Sequence, residues 1–347
     1  MKLNINKVLL YTCLPLLAGG LASCENSDND FPDYEGGVSV YFANQYPVRT
    51  IVLGEDEYDT SRDNAHQCQL QATMGGSYTG KNIKVQIAVD NDLCKNLYFA
   101  DGVTPVLPMP SNYYTLSSTT MDYKGGFTGA VDVQLTDAFF NDPKALSNNY
   151  VIPVVMTSQT GADQILSGRT IIEGEQAQRT NAGRWDVAPK DYMLYCVKFI
   201  CKYDANYLRR GVDQINFGGS TRNVVRHKGV ENDEVKDDIT TLGLNDVSYP
   251  VEVQVADGQY RNCTLRLSFD GSGKCTVSSM TDGVTASGSG SYNEKSEKKA
   301  WNNKDRDGLY LDYKINFADA TVSTRDTLVW QSRGVVKEEF APVYLEK

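Results

Sequence analysis

Short segments in which polar and apolar side chains alternate constrain the fold of this chain more than any other feature. In residues 67–72 three glutamines alternate with apolar residues, and the same period of two recurs in residues 83–89. Successive side chains of a β-strand point to opposite faces of a sheet, so the alternation predicts strands with one buried face. In the first segment Cys68, Leu70 and Ala72 should face a core. Turn residues separate the segments, which is typical of an antiparallel sandwich.

The alternation predicts an all-β protein with two units. We expect an immunoglobulin-like antiparallel sandwich over residues 36–172, then a linker over 173–191 that has no apolar face. Residues 192–347 contain many strand-like segments with short turns between them, which favours a lipocalin-like antiparallel β-barrel. A second sandwich is the alternative for this unit. One short helical turn is predicted at residues 137–146, where Pro143 interrupts it.

The beginning of the chain has the composition of a bacterial secretion signal. Two lysines, Lys2 and Lys7, precede an apolar stretch over residues 8–21. A bilayer-spanning helix needs about 20 apolar residues, so this stretch is too short to span a bilayer. It ends in Leu-Ala-Ser-Cys, which resembles a lipobox. The resemblance implies a signal peptide over residues 1–23 and lipidation of Cys24, with a plain secretion signal as the alternative. Two or more acyl chains at this cysteine would anchor the protein stably to a membrane.

The residues after the predicted lipidation site indicate where the protein is displayed. Residues 24–35 are polar and acidic, and such a segment cannot bury enough apolar area to fold, so we expect a flexible tether. The segment also resembles the export signal that sends Bacteroidetes lipoproteins to the outer face of the outer membrane. The resemblance implies a lipid-anchored outer-membrane protein that faces the cell exterior.

The charge of the chain excludes some classes of partner. Lysine and arginine number 34 against 44 aspartate and glutamate, for a net charge of −10. No basic stripe is available to bind phosphate groups, so we expect no nucleic-acid partner. Highly sulfated polysaccharides are disfavoured for the same electrostatic reason.

The cysteines are better explained as buried thiols than as disulfides. Beyond the leader and the anchor, the chain contains Cys68, Cys94, Cys196, Cys201, Cys263 and Cys275. In the hairpin predicted around residues 271–273, Phe269 faces Cys275, which places Cys263 about 20 Å away. A disulfide needs Cα atoms within about 7 Å. Buried free thiols, which behave as small hydrophobic side chains, are therefore preferred.

The sequence contains little that indicates catalysis. The chain has two histidines, His66 and His227, and neither has a recognisable nucleophile nearby. We therefore expect a non-catalytic protein without a cofactor. A glycoside hydrolase that uses an unrecognised pair of carboxylates is the low-ranking alternative.

Two tryptophans in polar surroundings are candidates for stacking against sugar rings. Trp301 lies in a predicted loop beside Asn302 and Asn303, and Trp185 lies in the predicted linker. Sugar sites combine an aromatic face with amides and carboxylates that bind hydroxyl groups. We therefore consider all four residues candidate glycan-binding residues, with packing of each ring against a domain surface as the alternative.

The segment after Trp301 also has a partial calcium-loop pattern. Asn303, Asp305 and Asp307 match the first positions of such a loop, and Gly308 follows them. Lys314 then stands where the loop requires a bidentate glutamate. A polar hairpin is the preferred interpretation, with no metal site.

Several motifs resemble proteins of the Bacteroidetes cell surface. Residues 36–157 resemble a family of unknown function, best known as the N-terminal module of some surface endoglycosidases, through residues 85–90, 107–108, 113–116 and 150–154. The second half is similar to the lipocalin-like C-terminal domains of related surface lipoproteins, through residues 203–211, 309–313 and 326–329.

The resemblance implies a glycan-handling role, since such proteins are commonly encoded beside outer-membrane uptake systems of the starch-utilisation type. The catalytic domain of the endoglycosidases is absent from this sequence. We therefore expect a glycan-binding accessory lipoprotein, with an outer-membrane transporter and its lipoprotein partners nearby. A structural or assembly lipoprotein that contacts proteins and binds no sugar is the alternative.

Overall fold

The structure, a computed structural model, describes residues 32–346. The predicted signal peptide and the predicted lipidation site at Cys24 lie outside the described residues. Strands contain 54% of the residues and helices 7%, which confirms the predicted all-β class, a sandwich followed by a barrel-like unit. Within residues 32–346, no helix combines the length and apolar character needed to cross a bilayer.

The first part of the chain forms a 12-stranded sheet that folds into the sandwich. Its strands and the short strands beside it are β1 (Ser39–Tyr41), β2 (Pro47–Val52), β3 (Gln67–Gly75), β4 (Lys84–Val89), β5 (Leu97–Tyr98), β6 (Leu107–Pro108), β7 (Tyr114–Leu116), β8 (Thr120–Asp122), β9 (Thr128–Leu135), β10 (Tyr150–Thr160), β11 (Gln164–Ile165), β12 (Arg169–Thr170), β13 (Trp185–Val187) and β14 (Tyr192–Ile200). The short helices are α1 (Ser61–Asn64), α2 (Asp137–Phe140) and the 3-10 turns Asn91–Cys94, Pro143–Leu146 and Ala182–Arg184.

Strand pairing in the sandwich follows the alternation in the sequence. The order is β11-β1-β3-β9-β8-β4-β10-β14-β2, and a single residue pair, Asp122 with Ala130, joins β8 to β9. Cys68, Leu70 and Ala72 of β3 are buried as expected. The helical region is divided at Pro143 into α2 and a 3-10 turn, as the sequence predicts.

The second part of the chain forms a 10-stranded curled sheet. Its strands are β15 (Asn206–Phe217), β16 (Ser220–Arg226), β17 (Glu234–Lys236), β18 (Thr240–Gly243), β19 (Asp246–Ala256), β20 (Gln259–Phe269), β21 (Lys274–Ser279), β22 (Thr285–Trp301), β23 (Lys304–Asn316) and β24 (Ala320–Ser332), with a 3-10 turn at Val230–Asn232. The order is β16-β15-β24-β23-β22-β21-β20-β19-β18, and within the described residues no pairing joins β16 to β18. The unit is thus a half-barrel.

The half-barrel interior contains a charged layer between two apolar clusters. Along β15, Tyr207 belongs to the larger cluster and Ile215 to the smaller one. Arg209 and Asp213 lie between them and are also buried. Asp326 of β24 occupies the same layer, because β24 pairs with β15 along its whole length. Side chains therefore fill the middle of the half-barrel.

The prediction that the second unit begins at residue 192 is wrong for β14. This strand pairs with β10 on one side and with β2, in parallel, on the other, so it belongs to the sandwich. The reason is its burial on both faces: Met193 and Tyr195 contact one core cluster and Leu194 and Cys196 another. Apolar clusters of the sandwich cover both faces of this strand, and β10 and β2 pair with the backbone groups at its two edges.

The end of the chain also departs from the predicted boundaries. After the half-barrel, β25 (Glu338–Glu339) pairs with β2, and β26 (Val343–Tyr344) pairs with β5. Phe340 inserts into an apolar cluster of the sandwich, where its ring lies 5.5 Å from Tyr46 and 5.1 Å from Phe99. We call residues 335–346 the C-terminal strap. The strap is too short to bury its own apolar side chains, so Phe340 and Tyr344 pack against the apolar cluster of the sandwich instead.

Candidate functional site

Trp185 lies at the start of β13, in the segment that the sequence predicts to be a linker. β13 pairs with β12, where Thr170 faces Trp185 and Arg169 faces Val187. The indole nitrogen Nε1 donates a hydrogen bond to the carbonyl oxygen of Gln178 at 3.0 Å. This bond fixes the orientation of the half-buried ring.

The ring of Trp185 lines a groove of 930 Å³ on the sandwich. Other lining residues provide hydroxyl, amide and charged groups, among them Thr170, Gln176, Glu175 and Asp186. Among the described residues that line it there is neither a histidine nor a cysteine. We call this feature the Trp185 groove. Its composition matches the requirements of a polar, ring-shaped ligand.

Hydrogen bonds rather than apolar contacts hold the groove in place. The side-chain amide of Gln178 donates to the carbonyl oxygens of Asp92 at 3.2 Å and Lys95 at 3.0 Å. Arg179 forms two bonds to the buried carboxylate of Asp191, at 2.9 and 3.0 Å. These bonds raise the pKa of the Arg179 guanidinium above its ordinary value. The predicted linker is therefore part of the sandwich surface.

The C-terminal strap supports the same groove from outside. Glu346 lies 3.4 Å from Arg184 and accepts a bond from Asn181 at 3.3 Å. Arg184 in turn lies 3.6 Å from Glu175, a groove residue. The end of the chain thus contributes to the position of the groove wall, which no local sequence pattern indicates.

The structure separates the second candidate tryptophan from this groove. Trp301 is the last residue of β22, on the half-barrel, and pairs with Lys304 across a two-residue turn. Asn302 and Asn303 form the turn with φ of 52° and 54°. Asparagine tolerates this left-handed conformation, which two-residue hairpins of type I′ require. The turn explains both asparagines without a ligand.

The partial calcium loop is a strand with satisfied carboxylates. Asp305 accepts bonds from Lys298 Nζ at 2.9 Å and from the backbone of Lys299 at 3.0 Å. Asp307 accepts bonds from the Tyr292 hydroxyl at 2.5 Å and from the backbone of Lys295 at 2.9 Å. In the part of the chain that the structure describes, no group of three or more histidine, cysteine, aspartate or glutamate residues could hold a metal ion.

A polar cleft separates the sandwich from the half-barrel. One region of 480 Å³ is lined by His66, Tyr203 and Tyr292 among others, and a neighbouring region of 290 Å³ by Arg306 and Trp330. Ion pairs cross this cleft, among them Arg306 with Glu57. No local sequence pattern predicts the cleft, because its residues come from distant parts of the chain.

The outer face of the half-barrel carries a third concavity of 970 Å³. Ser289 and Ser291 of β22 lie beside Tyr310 and Asp312 of β23 along it. The hydroxyl of Tyr310 is already bound to Ser296 at 3.0 Å and to Glu297 at 2.7 Å. This face therefore presents an aromatic ring whose hydroxyl is already hydrogen-bonded within the protein. It lies on the half-barrel, whereas Trp185 lies on the sandwich.

These features define a β protein of two units, and comparison with known proteins supplies the family. A solved structure from Bacteroides ovatus, of unknown function, is 42% identical, covers 90% of this chain and 100% of that chain, and has a TM-score of 0.84. The chain belongs to the same family as this protein. The expected relationship to Bacteroides proteins of unknown function is confirmed to this extent.

Family models match each unit separately. A model for an N-terminal domain matches residues 33–163, and a domain of unknown function, DUF5627, matches residues 202–334. A proposed carbohydrate binding protein from Bacteroides ovatus ATCC 8483 is 15% identical over 70% of this chain and 67% of that chain, with a TM-score of 0.28. No curated protein matches the chain.

Proposed function

We propose that the protein binds glycan without catalysis and that the Trp185 groove is the binding site. The observation that carries the proposal is the indole of Trp185, held by its bond to Gln178 at the wall of a 930 Å³ groove. A sugar ring stacks its C–H face on an aromatic ring, while its hydroxyls bond to neighbouring polar groups. A fixed ring loses little entropy on binding, which favours affinity.

Hydrogen-bonding groups at the groove are of the kind that sugar hydroxyls require. Gln176 and Thr170 supply an amide and a hydroxyl, and Glu175 and Asp186 supply carboxylates. A sugar hydroxyl both donates and accepts, so it can satisfy either type of group. The groove thus provides both the aromatic stacking face and the hydrogen-bonding groups of a carbohydrate site.

Lipid anchoring and surface display form the second part of the proposal. Leu21, Ala22, Ser23 and Cys24 resemble a lipobox, and an acidic segment follows. The first described residue, Pro32, comes eight positions after Cys24, a separation that a fully extended chain would span with about 28 Å. We propose that this anchor places the Trp185 groove at the exterior of the outer membrane, beside a glycan transporter and its lipoprotein partners.

The anchor is tested by comparing the wild-type chain with Cys24→Ala in the native host. We expect the wild type in the outer-membrane fraction and accessible to protease on intact cells. The Cys24→Ala variant should leave the detergent phase on phase separation. Wild-type protein that stays in the aqueous phase would contradict lipidation, and protein that is protected on intact cells would contradict surface display.

Glycan binding is tested on a glycan array with the full chain in detergent. We expect the wild type to bind at least one glycan, Trp185→Ala to lose that signal, and Tyr310→Ala to keep it. The Tyr310 variant is a matched aromatic control, because it alters the groove on the half-barrel. Loss of the signal in Tyr310→Ala alone would move the site to the half-barrel. No signal from the wild type on any glycan would contradict the proposed function.

A further inference from the structure

The charged residues that line the Trp185 groove leave it with a negative balance. The lining contains two arginines, Arg169 and Arg179, against three carboxylates, Glu173, Glu175 and Asp186. An anionic sugar would need an arginine or lysine that is free to form a bidentate pair with its sulfate or carboxylate. The state of the two arginines therefore decides which glycans fit.

Both arginines of the lining are already paired within the protein. Arg169 contacts Asp186 through Nε at 2.9 Å and through Nη2 at 2.5 Å. Arg179 forms its two bonds with Asp191, whose side chain is 2% exposed. Recruiting Arg179 to a ligand would break its two hydrogen bonds and leave the buried charge of Asp191 without its partner. The exposed charge of Arg169 is balanced at the groove by the carboxylate of Asp186.

The carboxylates of the groove are less completely paired. Within the described residues nothing forms an ion pair with Glu173, which is exposed. Glu175 has one oxygen, Oε1, at 3.6 Å from Arg184. Its other oxygen, Oε2, is buried and has no hydrogen-bond donor among the described residues. The Glu175 side chain is 26% exposed at the groove, and Arg184 is too far from Oε1 for a hydrogen bond, so a ligand hydroxyl can donate to this accessible oxygen.

We infer that the Trp185 groove selects uncharged, hydroxyl-rich glycans and excludes sulfated and uronic ones, with Glu175 as a specificity-determining residue. This inference rests on the proposed function. A neutral sugar stacks on Trp185, and one of its hydroxyls donates a charge-assisted hydrogen bond to the carboxylate of Glu175. A sulfate or carboxylate group at the same place meets an acceptor-only carboxylate instead and is repelled. The net charge of −10 adds repulsion at longer range.

The test uses the full chain in detergent and matched pairs of polysaccharides. Each pair consists of a neutral polysaccharide and its chemically sulfated form, titrated calorimetrically with wild-type protein. We expect the neutral form to bind at least about tenfold more tightly than the sulfated form. Affinity for the neutral form should change less than about twofold between 50 and 500 mM NaCl, because no counterions are exchanged.

Two glutamine variants test the assigned residue. Glu175→Gln keeps the size of the side chain and removes its charge, and it should weaken binding of the neutral polysaccharide by at least about tenfold. Glu173→Gln removes the exposed carboxylate of the same groove and should stay within about twofold of wild type. Circular dichroism of both variants checks that the fold is retained. Glu175→Gln that binds as tightly as wild type would overturn the role of Glu175.

The outcomes separate this inference from the proposed function. If no polysaccharide binds, the proposed function fails. If the sulfated form binds as well as the neutral form, and Trp185→Ala abolishes both, the function stands and the inferred selectivity is overturned. Binding of the neutral form alone, lost in Glu175→Gln and kept in Glu173→Gln, supports the inference.

Discussion

Arg209 and Asp326 form a salt bridge of 3.1 Å inside the half-barrel, with side chains that are 3% and 0% exposed. Asp326 also accepts bonds from the hydroxyls of Tyr249 at 2.9 Å and Tyr313 at 2.8 Å, and from Arg226 at 2.8 Å. These side chains occupy the position where a lipocalin-like barrel would hold a ligand. The carboxylate of Asp326 therefore binds the polar side chains that fill the core of this unit. A ligand site is expected on the outer surfaces instead.

Removal of the Asp326 charge should strongly destabilise the protein. Asp326→Asn removes the buried counter-charge of Arg209, which keeps only the half-exposed Glu234 at 3.3 Å, and one of the two carboxylates that pair with Arg226. Loss of one partner of a buried ion pair costs about 3–5 kcal/mol in free energy of unfolding. Urea denaturation followed by circular dichroism measures this change. The matched control is Asp312→Asn, on the outer face of β23, where the pair with Arg325 is largely exposed and should contribute less than about 1 kcal/mol. Equal effects of the two variants would contradict the account.

The contribution of Asp326 to the free energy of unfolding should depend on pH. Burial raises the pKa of Asp326, but the guanidinium groups of Arg209 and Arg226 outweigh burial and hold that pKa below its ordinary value. A carboxylate with a lowered folded-state pKa stabilises the protein above its unfolded pKa of about 3.9, and this stability is lost as the pH falls through the folded value. The stability difference between wild type and Asp326→Asn should thus be constant above about pH 5 and shrink below about pH 4. A difference that grows on acidification would contradict the sign.

The thermal coupling of the two units across the cleft should depend on Arg306. Its guanidinium lies 5.0 Å from the centre of the Trp330 ring and 3.1 Å from Glu57 of the sandwich, and its side chain is 6% exposed. Arg306→Met should cost about 2 kcal/mol and separate the thermal transitions of the two units in calorimetry. Lys304→Met is the control, because Lys304 is exposed and lies 3.6 Å from the same carboxylate. A single unshifted transition in Arg306→Met would argue against coupling through this contact.

The C-terminal strap should stabilise the sandwich through Phe340. This side chain is 8% exposed and contacts Tyr46 and Phe99, so Phe340→Ala creates a cavity and should cost about 3 kcal/mol. Hydrogen exchange should become faster in β2 and β5, the strands that the strap pairs with. Val336→Ala, at a residue that is 78% exposed, should leave exchange unchanged. Unaltered exchange in Phe340→Ala would show that the strap does not support these strands.

The six described cysteines are free and buried. Burial raises the pKa of Cys68, Cys94, Cys196 and Cys275 to about 12, so these thiols stay protonated and unreactive near neutral pH. In a Cys24→Ala chain whose signal peptide has been removed, a thiol reagent should therefore label none of the six in the native state and all six after denaturation. Fewer than six in the denatured chain would reveal a disulfide.

Local patterns predicted much of the half-barrel because strand alternation and turns are local properties. The hairpin predicted around residues 271–273 joins β20 to β21, and the predicted pairing of Phe269 with Cys275 is confirmed. The chain order of a meander follows from short turns between such strands. The two-residue turn at Asn302 and Asn303 is also a local feature, because an asparagine pair between two strand-like segments favours such a turn.

Contacts between distant segments could not be predicted in this way. The parallel pairing of β14 with β2 and the return of Phe340 to the sandwich depend on which buried surfaces remain uncovered after the sheets form. No residue near Arg209 in sequence indicates that its partner is Asp326, 117 positions away. The same holds for Glu175, because its place in the groove is set by Arg184 and, through it, by the strap. The position of Trp185 in the predicted linker is visible in the sequence, but the groove around it is not.

The most direct test of the central claim is a calorimetric titration of the full chain with a glycan that binds it on the array. Trp185→Ala should weaken binding at least about tenfold, which corresponds to about 1.4 kcal/mol, because the stacking face is lost. Trp301→Ala, a variant with the same change in size at the hairpin of the half-barrel, should bind as tightly as wild type. If Trp185→Ala binds as tightly as wild type, the Trp185 groove is not the glycan site and the account is contradicted.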